Sequence, residues 1–423
     1  MMRCSENLKL TGNPPGNPDL PFLYVALPVM DEQELLPRLL ACFASQTYRR
    51  FKIVACVNQP DSWWNNPDKS DACENNAICL RLLENFREID TTVIDHTSRG
   101  RGWTGKRHGV GWARKSVMDQ IDKEASPGDV MVSLDADTVI SDDYLLSIAV
   151  NFRRHPEAVA LSAPYFHNLV NDVRANRAIL RYEIYMRHYF LNLARIGSPY
   201  AFTALGSAMA LPVWAYRAIG GMTPKLSGED FYFLQKLRKF GPVLLWNDEM
   251  VYPEARFSDR VFFGTGPAMI KGAEGDWKSY PVYPMVLFNK IAETYQMLPE
   301  LYLKTSPTAI TSFMASVSGE KDPWQPLRLN HKDFGHFARA FHEKFDGLRL
   351  LQFLKMSNEQ SQSADEENLR NYVSHVFSKP ELEKTGIEWK QLSFAESPVE
   401  ELINVRAFLF EKEMNVRATT IPV

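Results

Sequence analysis

The feature that most constrains the fold of this chain is an alternation of short apolar runs with longer helical patterns, which begins at Leu20. Four runs rich in β-branched or aromatic residues predict strands. They lie at 22–27, 51–57, 91–94 and 130–134. Apolar residues at i, i+3 and i+4 spacing predict helices between them, at 32–46, 78–86 and 107–121. This βαβαβαβ order is typical of an α/β domain with a mainly parallel sheet.

The chain changes character beyond about residue 275, where charged helix-forming segments replace the strand-like runs. Helices are predicted at 299–304, 334–351, 366–377 and 399–416, and the segment 357–367 is polar enough to form a mobile loop. We therefore expect a flexible N-terminal arm over 1–19, an α/β domain over 20–275 and a helical C-terminal subdomain over 276–423.

The composition argues against several classes of protein. The chain has 48 basic and 51 acidic residues and a net charge of -3, so no bulk positive field favours nucleic-acid binding. Five cysteines without a CxxC pair disfavour a disulfide scaffold or a zinc site. The N-terminus lacks the apolar run of a secretion signal, and the uncharged stretch 196–216 contains Gly and Pro. We therefore expect a cytoplasmic protein without a transmembrane segment.

Polar residues follow the predicted strands, and in such sheets ligands bind beyond the carboxyl ends of the strands. The strongest candidates are Asp135 and Asp137, directly after the apolar run 130–134. At i, i+2 spacing both carboxylates lie on one side of an extended backbone, where they can share a divalent cation such as Mg²⁺ or Mn²⁺. Alternatively, they only end the strand and cap a helix that begins near Asp142.

A glycine-rich, basic segment follows the third predicted strand and opens a helix. Gly100, Gly102 and Gly105 match GxGxxG, but a dinucleotide fingerprint belongs after the first strand. The same segment matches GxxxxGK through Lys106, yet Arg107 stands where a P-loop needs Ser or Thr. Glycines and cations at a helix start suit a phosphate group, and they equally suit a solvated flexible loop.

A second acidic motif, Gly228–Asp230, precedes a predicted helix over 231–240. Carboxylates at a helix start stabilise the helix dipole, so Glu229 and Asp230 have a purely structural explanation. In a binding site, however, one of them can act as a general base if it lies within hydrogen-bond reach of a substrate hydroxyl.

The order of these motifs resembles family 2 glycosyltransferases with the GT-A fold. The resemblance rests on 27–32, 102–106, 135–137 and 228–230, and it spans roughly residues 20–265. It implies a GT-A α/β fold with a mixed, mainly parallel sheet flanked by helices, followed here by the helical subdomain. It also implies a hexosyltransferase-type, inverting enzyme that uses Mn²⁺ or Mg²⁺ and a UDP- or GDP-sugar. The implied acceptor is a hydroxyl of a polysaccharide, glycan or glycolipid, as in cell-surface glycan biosynthesis.

The resemblance also implies roles for single residues. The residues it places beside the nucleotide of the donor are Pro28, Asp31, Glu32 and Asn58. Asn58 stands where the family usually has an acidic residue. The resemblance places Gly105, Lys106 and Arg107 against the nucleotide and diphosphate, and Asp135 and Asp137 at the metal, with Asp135 shared with the ribose. It makes Asp230 the catalytic base, beside Glu229, and Arg260 a diphosphate ligand.

Several further residues are ambiguous. Arg256, Arg260 and Asp259 suit the diphosphate or metal, or surface ion pairs. His167 suits a ligand or a loop histidine, and Trp103 and Trp214 suit sugar stacking or packing. Acceptor binding is expected between the helix 165–195, the segment 203–211 and the C-terminal helices. Aromatic and basic side chains of the helix 165–195 suit a sugar, a lipid-linked acceptor or helix packing. They are Arg177, Tyr182, Tyr185, Arg187, His188 and Tyr189.

Two other functions compete with sugar transfer. One is a non-catalytic protein that binds a nucleotide or carbohydrate on the same fold. The other is a sugar nucleotidyltransferase, which is disfavoured because the first strand is not followed by a glycine-rich basic loop. The expected partners are the donor and the acceptor, with no nucleic acid, and peripheral membrane contact through the helical part stays open.

Overall fold

The computed structural model describes residues 19–105, 108–225, 228–257, 264–359, 361 and 363–420. The chain forms two compact units. The first unit comprises Met1–His167, Leu205–Asp230 and Gly241–Glu254. The second comprises Asn168–Ala204, Phe231–Phe240 and Ala255–Val423. The predicted domain division at residue 275 stays a prediction, and residues 1–18 of the predicted flexible arm lie outside the described residues.

The first unit is built on a seven-stranded sheet with the order β3-β2-β1-β4-β7-β6-β8, beside a two-stranded ribbon of β5 and β9. The strands are β1 Leu23–Val29, β2 Phe51–Asn58, β3 Thr91–His96, β4 Val130–Ser133, β5 Thr138–Ile140, β6 Ala160–Ser162, β7 Met209–Pro212, β8 Val243–Leu244 and β9 Val251–Pro253. Strands β1 to β4 are mutually parallel, whereas β7 runs antiparallel to β4 and β6. The predicted mainly parallel sheet is confirmed.

Helices flank this sheet and make up most of the second unit. They are α1 Leu36–Ser45, α2 Ser70–Asn85, α3 Val110–Glu124, α4 Tyr144–Arg154, α5 Val173–Arg195, α6 Val213–Ala218, α7 Glu229–Phe240, α8 Thr265–Ala273, α9 Met285–Gln296, α10 Leu298–Leu303, α11 Ala309–Ser318, α12 Gln325–Asn330, α13 Phe334–Lys344, α14 Gly347–Asn358, α15 Asp365–Val376, α16 Lys379–Glu383 and α17 Val399–Thr419. The predicted helical C-terminal region is thus present.

The core of the first unit follows from the sequence pattern. Every residue of β1 is buried, as expected for a central parallel strand covered on both faces. Helix α1 buries Leu36, Leu39, Leu40 and Phe43, which form one apolar stripe.

The second unit contains a group of buried charged side chains on α5 and α17. The members of this group are Glu183, Arg187, Arg406, Glu413 and Arg417.

One prediction in this unit was wrong: the segment 334–351 forms two helices, because α13 ends at Lys344 and Asp346 starts α14. The Asp346 side chain accepts a hydrogen bond from the Arg349 N–H at 3.1 Å. Among the described residues, no helix is both long and apolar enough to span a membrane.

Candidate functional site

The candidate site lies in the first unit, at the carboxyl ends of β1, β2 and β4. From β1 the chain proceeds to β2 and β3 on one side of the sheet, and β4 pairs on the other side of β1. Such a change of direction is where ligands bind in open α/β sheets. The strands end in register, since Pro28 pairs with Cys56 and Ala26 pairs with Ser133. The predicted residues after these strands are therefore brought to one edge.

The turn after β1 is held in an unusual conformation. Asp31 has φ 58°, in the left-handed region that side chains other than glycine rarely adopt. Its N–H donates to Oδ1 of Asn76 at 2.7 Å, and its Oδ1 accepts from Nδ2 of Asn75 at 2.6 Å. Glu32 is buried and its carbonyl accepts the Leu36 N–H at 2.9 Å, which starts α1. Helix α2 thus holds Asp31, one of the residues predicted to border the nucleotide, in place.

Asn58, the last residue of β2, is buried and uses both ends of its amide. Its Nδ2 donates to the Val29 carbonyl at 2.9 Å, and its Oδ1 accepts from Nε1 of Trp103 at 3.3 Å. The Trp103 ring stacks against His96, with ring centroids 3.8 Å apart. Asn58 therefore ties β1, β2 and the glycine-rich segment together. This geometry gives Trp103 a packing role, which the sequence had left open.

Asp135 and Asp137 follow β4, and both are partly exposed on either side of buried Ala136. The alternative that they cap the next helix was wrong, because α4 begins at Tyr144 after Asp143 as N-cap. Their segment links β4 to β5, and the Asp137 carbonyl accepts the Glu254 N–H at 3.2 Å. Both carboxylates are thus presented at the edge of the sheet.

Arg114 of α3 connects the acidic motifs, although it belongs to none of the sequence motifs. Its Nη2 donates to Oδ1 of Asp135 at 2.8 Å, and its Nε donates to Oε1 of Glu229 at 3.3 Å. Its Nη1 donates to Oγ of Ser133 at 2.5 Å and to the Gly206 carbonyl at 3.1 Å. Burial alone would lower the pKa of Arg114, but Asp135 and Glu229 outweigh burial and hold it above its ordinary value.

The GED turn, Gly228–Asp230, places two neighbouring carboxylates in different surroundings. Gly228 has φ 69°, and α7 begins at Glu229. Glu229 is 4% exposed, and burial raises its pKa although the charge of Arg114 opposes this. Asp230 is only partly buried, and its charge contributes to the raised pKa of Arg114. Glu229 is thus an internal ion-pair partner, which leaves Asp230 as the candidate base.

Four predicted site residues cannot be placed relative to this edge of the sheet. Lys106, Arg107, Asp259 and Arg260 lie outside the described residues, whereas Gly105 is described and has φ 64°.

The remaining ambiguous residues divide between the two units. His167 is buried edge-on against Tyr165, which fits a core histidine. Arg256 belongs to the second unit, as does the predicted acceptor helix. Of that helix, Arg187 and His188 are fully buried, which favours packing over acceptor binding for these two.

The described residues contain no group of three or more His, Cys, Asp or Glu side chains placed to hold a metal ion. Two carboxylates of the first unit, those of Asp135 and Asp137, are the donors that suit a hard cation. Arg114 engages Oδ1 of Asp135 and leaves Oδ2 for another ligand. A cation at this position would therefore need further oxygen ligands from a bound substrate or water.

Comparison with known proteins agrees with the sequence motifs. A family model described as glycosyl transferase family group 2 matches residues 130–269, which include both acidic motifs. The predicted family resemblance is therefore confirmed over these residues, and so is the predicted fold class of a mixed, mainly parallel sheet with flanking helices and a helical C-terminal region. No curated protein matches the sequence.

Three of the solved structures that resemble this chain are glycosyltransferases or carry a nucleotide-sugar ligand. S. aureus TarS 1–349 in complex with UDP-GlcNAc is 12% identical, with a TM-score of 0.39 over 80% of this chain and 91% of that one. The mannosyltransferase PcManGT from Pyrobaculum calidifontis, with GDP-Man and Mn²⁺, is 14% identical, with a TM-score of 0.41 over 96% of this chain and 88% of that one. GalNAc-T7 with UDP, GalNAc and Mn²⁺ is 12% identical, with a TM-score of 0.37 over 77% of this chain and 58% of that one.

Proposed function

We propose that this chain, whose residues 130–269 match glycosyl transferase family group 2, is a metal-dependent inverting glycosyltransferase. It would transfer a hexosyl group from a UDP- or GDP-sugar to a hydroxyl of a carbohydrate or lipid-linked acceptor in the cytoplasm. One observation carries the proposal: a single buried side chain, Arg114, bonds both Asp135 and Glu229. The two acidic motifs therefore meet at the edge of the sheet where α/β proteins bind ligands.

The reaction is a displacement at the anomeric carbon. The acceptor oxygen forms a bond to that carbon as the bond to the diphosphate oxygen breaks. Asp230 accepts the proton of the acceptor hydroxyl, while Glu229 stays paired with Arg114. Asp31 and Asn58 border the nucleotide, held by α2 and by Trp103 respectively. No covalent intermediate with the protein is needed.

The donor set supports metal dependence. Asp135 and Asp137 offer carboxylate oxygens at a partly exposed position, and Arg114 orients the first of them. A divalent cation held there would act as a Lewis acid and stabilise the negative charge on the leaving diphosphate.

The test is nucleoside diphosphate release by the full chain. The protein is incubated with Mn²⁺ and a panel of UDP-, GDP- and dTDP-sugars, with and without hydroxyl acceptors, and the released diphosphate is quantified. We expect release with one base of the panel and its loss after EDTA. No release with any donor would contradict the proposal and favour a binding protein. Pyrophosphate release from a nucleoside triphosphate and a sugar phosphate would favour a nucleotidyltransferase.

A further inference from the structure

Arg114 lies outside every sequence motif, yet its side chain joins the two acidic ones. We propose that Arg114 is a positioning residue that sets the spacing between Asp135 and the GED turn, and that sugar transfer depends on this link. The proposal rests on the proposed function, because it assigns Asp135 to the donor and Asp230 to the acceptor proton. It assigns a role to a residue outside both acidic motifs, one that positions their carboxylates and contacts neither substrate.

The contacts of Arg114 use all three nitrogens of the guanidinium. One nitrogen bonds Asp135, another bonds Glu229, and the third bonds Ser133 and the Gly206 carbonyl. This planar fork fixes directions as well as charge. A lysine would keep the positive charge but cannot reach all of these acceptors from a single ammonium group. Replacing Arg114 with lysine therefore tests the geometry of its hydrogen bonds separately from its positive charge.

Two glycines make room for this arrangement. A Cβ at Gly206 would lie 2.3 Å from Nη2 of Arg114, so only glycine leaves space for the guanidinium. A Cβ at Gly111 would lie 2.1 Å from the carbonyl oxygen of Lys225. Gly111 and Arg114 are three residues apart and share one face of α3. The same helix face thus contacts the segment that leads into the GED turn and the carboxylate that opens α7.

Burial makes the link rigid and costly to lose. The side chains of Arg114 and Glu229 are 1% and 5% exposed, whereas that of Asp135 is 34% exposed. Removing one partner of a buried pair leaves the other charge uncompensated, so the pair is expected to resist separation. Asp135 is therefore anchored from the protein interior while remaining accessible at the edge. A shift of α3 would move Asp135 and the GED turn relative to each other.

The test compares Arg114→Lys and Arg114→Gln with Arg217→Gln in the full chain. Arg217 is a matched control because it also pairs with a carboxylate of α3, that of Asp122, at 2.6 Å, but it is 37% exposed. We expect Arg114→Lys to lower kcat by about 10²-fold, the loss typical of a small misplacement. The Kd for nucleoside diphosphate with Mn²⁺, measured by calorimetry, should change less than about tenfold, because the donor contacts remain. Arg217→Gln should resemble the wild type in both.

Hydrogen exchange supplies a readout that needs no turnover. In Arg114→Lys, exchange should rise in peptides from the first turns of α7 and stay unchanged in peptides from α4. Unchanged exchange in α7, or a kcat within about threefold of the wild type, would overturn the link itself. An equal loss of kcat and of nucleotide affinity would make Arg114 a donor-binding residue instead. If Arg114→Gln does not fold, Ser133→Ala, which removes one contact of Nη1, gives the second variant.

The two proposals fail in different ways. A wild-type protein that releases no diphosphate from any donor would overturn the proposed function, and with it the dependence of transfer on Arg114. Release by the wild type together with normal kcat in both Arg114 variants would leave the proposed function standing and overturn this inference alone.

Discussion

Glu229 and Asp230 are adjacent, yet the structure gives them different chemistry. Glu229 is 4% exposed and paired with Arg114, so it is committed to the interior. A base that must meet an incoming hydroxyl has to be reachable, and Asp230 is the partly exposed member of the pair. Adjacent positions at a helix start point in different directions, which allows one carboxylate to brace the turn and the other to face the substrate.

Asp230→Asn should separate binding from turnover. The change keeps the size of the side chain and removes its ability to accept a proton, so kcat should fall by at least about 10²-fold. Nucleoside diphosphate binding, measured by calorimetry, should remain because the donor contacts lie elsewhere. Asp248→Asn, at an exposed position of the same unit, serves as the control. Near-normal turnover in Asp230→Asn would remove Asp230 as the base.

Gly206→Ala should damage the site without altering any charged residue. The new methyl group would lie 2.3 Å from Nη2 of Arg114, so the guanidinium must move. Overpacking of this kind typically costs about 1–3 kcal/mol of unfolding free energy, and kcat should fall with it. Gly128→Ala is the control, because a Cβ there meets nothing within 4 Å. Equal unfolding midpoints in urea for the two variants would contradict the close contact.

At the scale of elements, the sequence predicted what local pattern determines. Strands β1 to β4 were found because β-branched runs end at clear polar boundaries, and the polar ends of the strands identified Asp135 and Asn58. Strand β7 lies inside the uncharged stretch 196–216, where periodicity cannot distinguish a buried strand from a loop or helix. Arg114 was missed because its partners are distant in sequence and an arginine within a helix has no distinctive pattern.

The buried charges between α5 and α17 are also invisible to a periodic pattern. Arg187 donates to Glu183 at 2.6 Å and to Glu413 at 2.5 Å, and Arg417 donates to Glu413 at 2.7 Å. The Arg187 and Glu413 side chains are at most 1% exposed. A helix face with such residues resembles a solvated face in sequence, yet here it forms the contact between two helices.

Glu413→Gln should strongly destabilise the second unit. The change removes the countercharge shared by Arg187 and Arg417, and breaking a buried pair in this way costs about 3–5 kcal/mol. Glu383→Gln is the matched control, because its partner Lys379 is 87% exposed and such surface pairs are worth about 0–1 kcal/mol. Urea unfolding followed by circular dichroism gives both values. Equal losses of unfolding free energy in the two variants would show that burial does not strengthen the ion pairs between α5 and α17.

At the scale of the whole molecule, the two compact units are interleaved along the chain. Helix α5 belongs to the second unit although it precedes β7 of the first, and the chain returns to the first unit at Leu205 and Gly241. A division by sequence position follows composition, which changes once near residue 275. The spatial grouping depends on long-range packing, which no local pattern records.

A fragment comprising residues 1–275 tests which division governs folding. In the full chain, α5 packs Ile179 and Tyr182 into one core with Phe288 and Ile291, which the fragment lacks. The fragment would also leave Arg187 without Glu413. We therefore expect it to lose cooperative thermal unfolding and near-ultraviolet circular dichroism, because exposed apolar surface and unpaired charge outweigh the marginal stability of a domain. A chain ending at Thr420 is the control and should unfold as the full chain does. Cooperative unfolding of the fragment would instead show that residues 20–275 form a domain that folds alone.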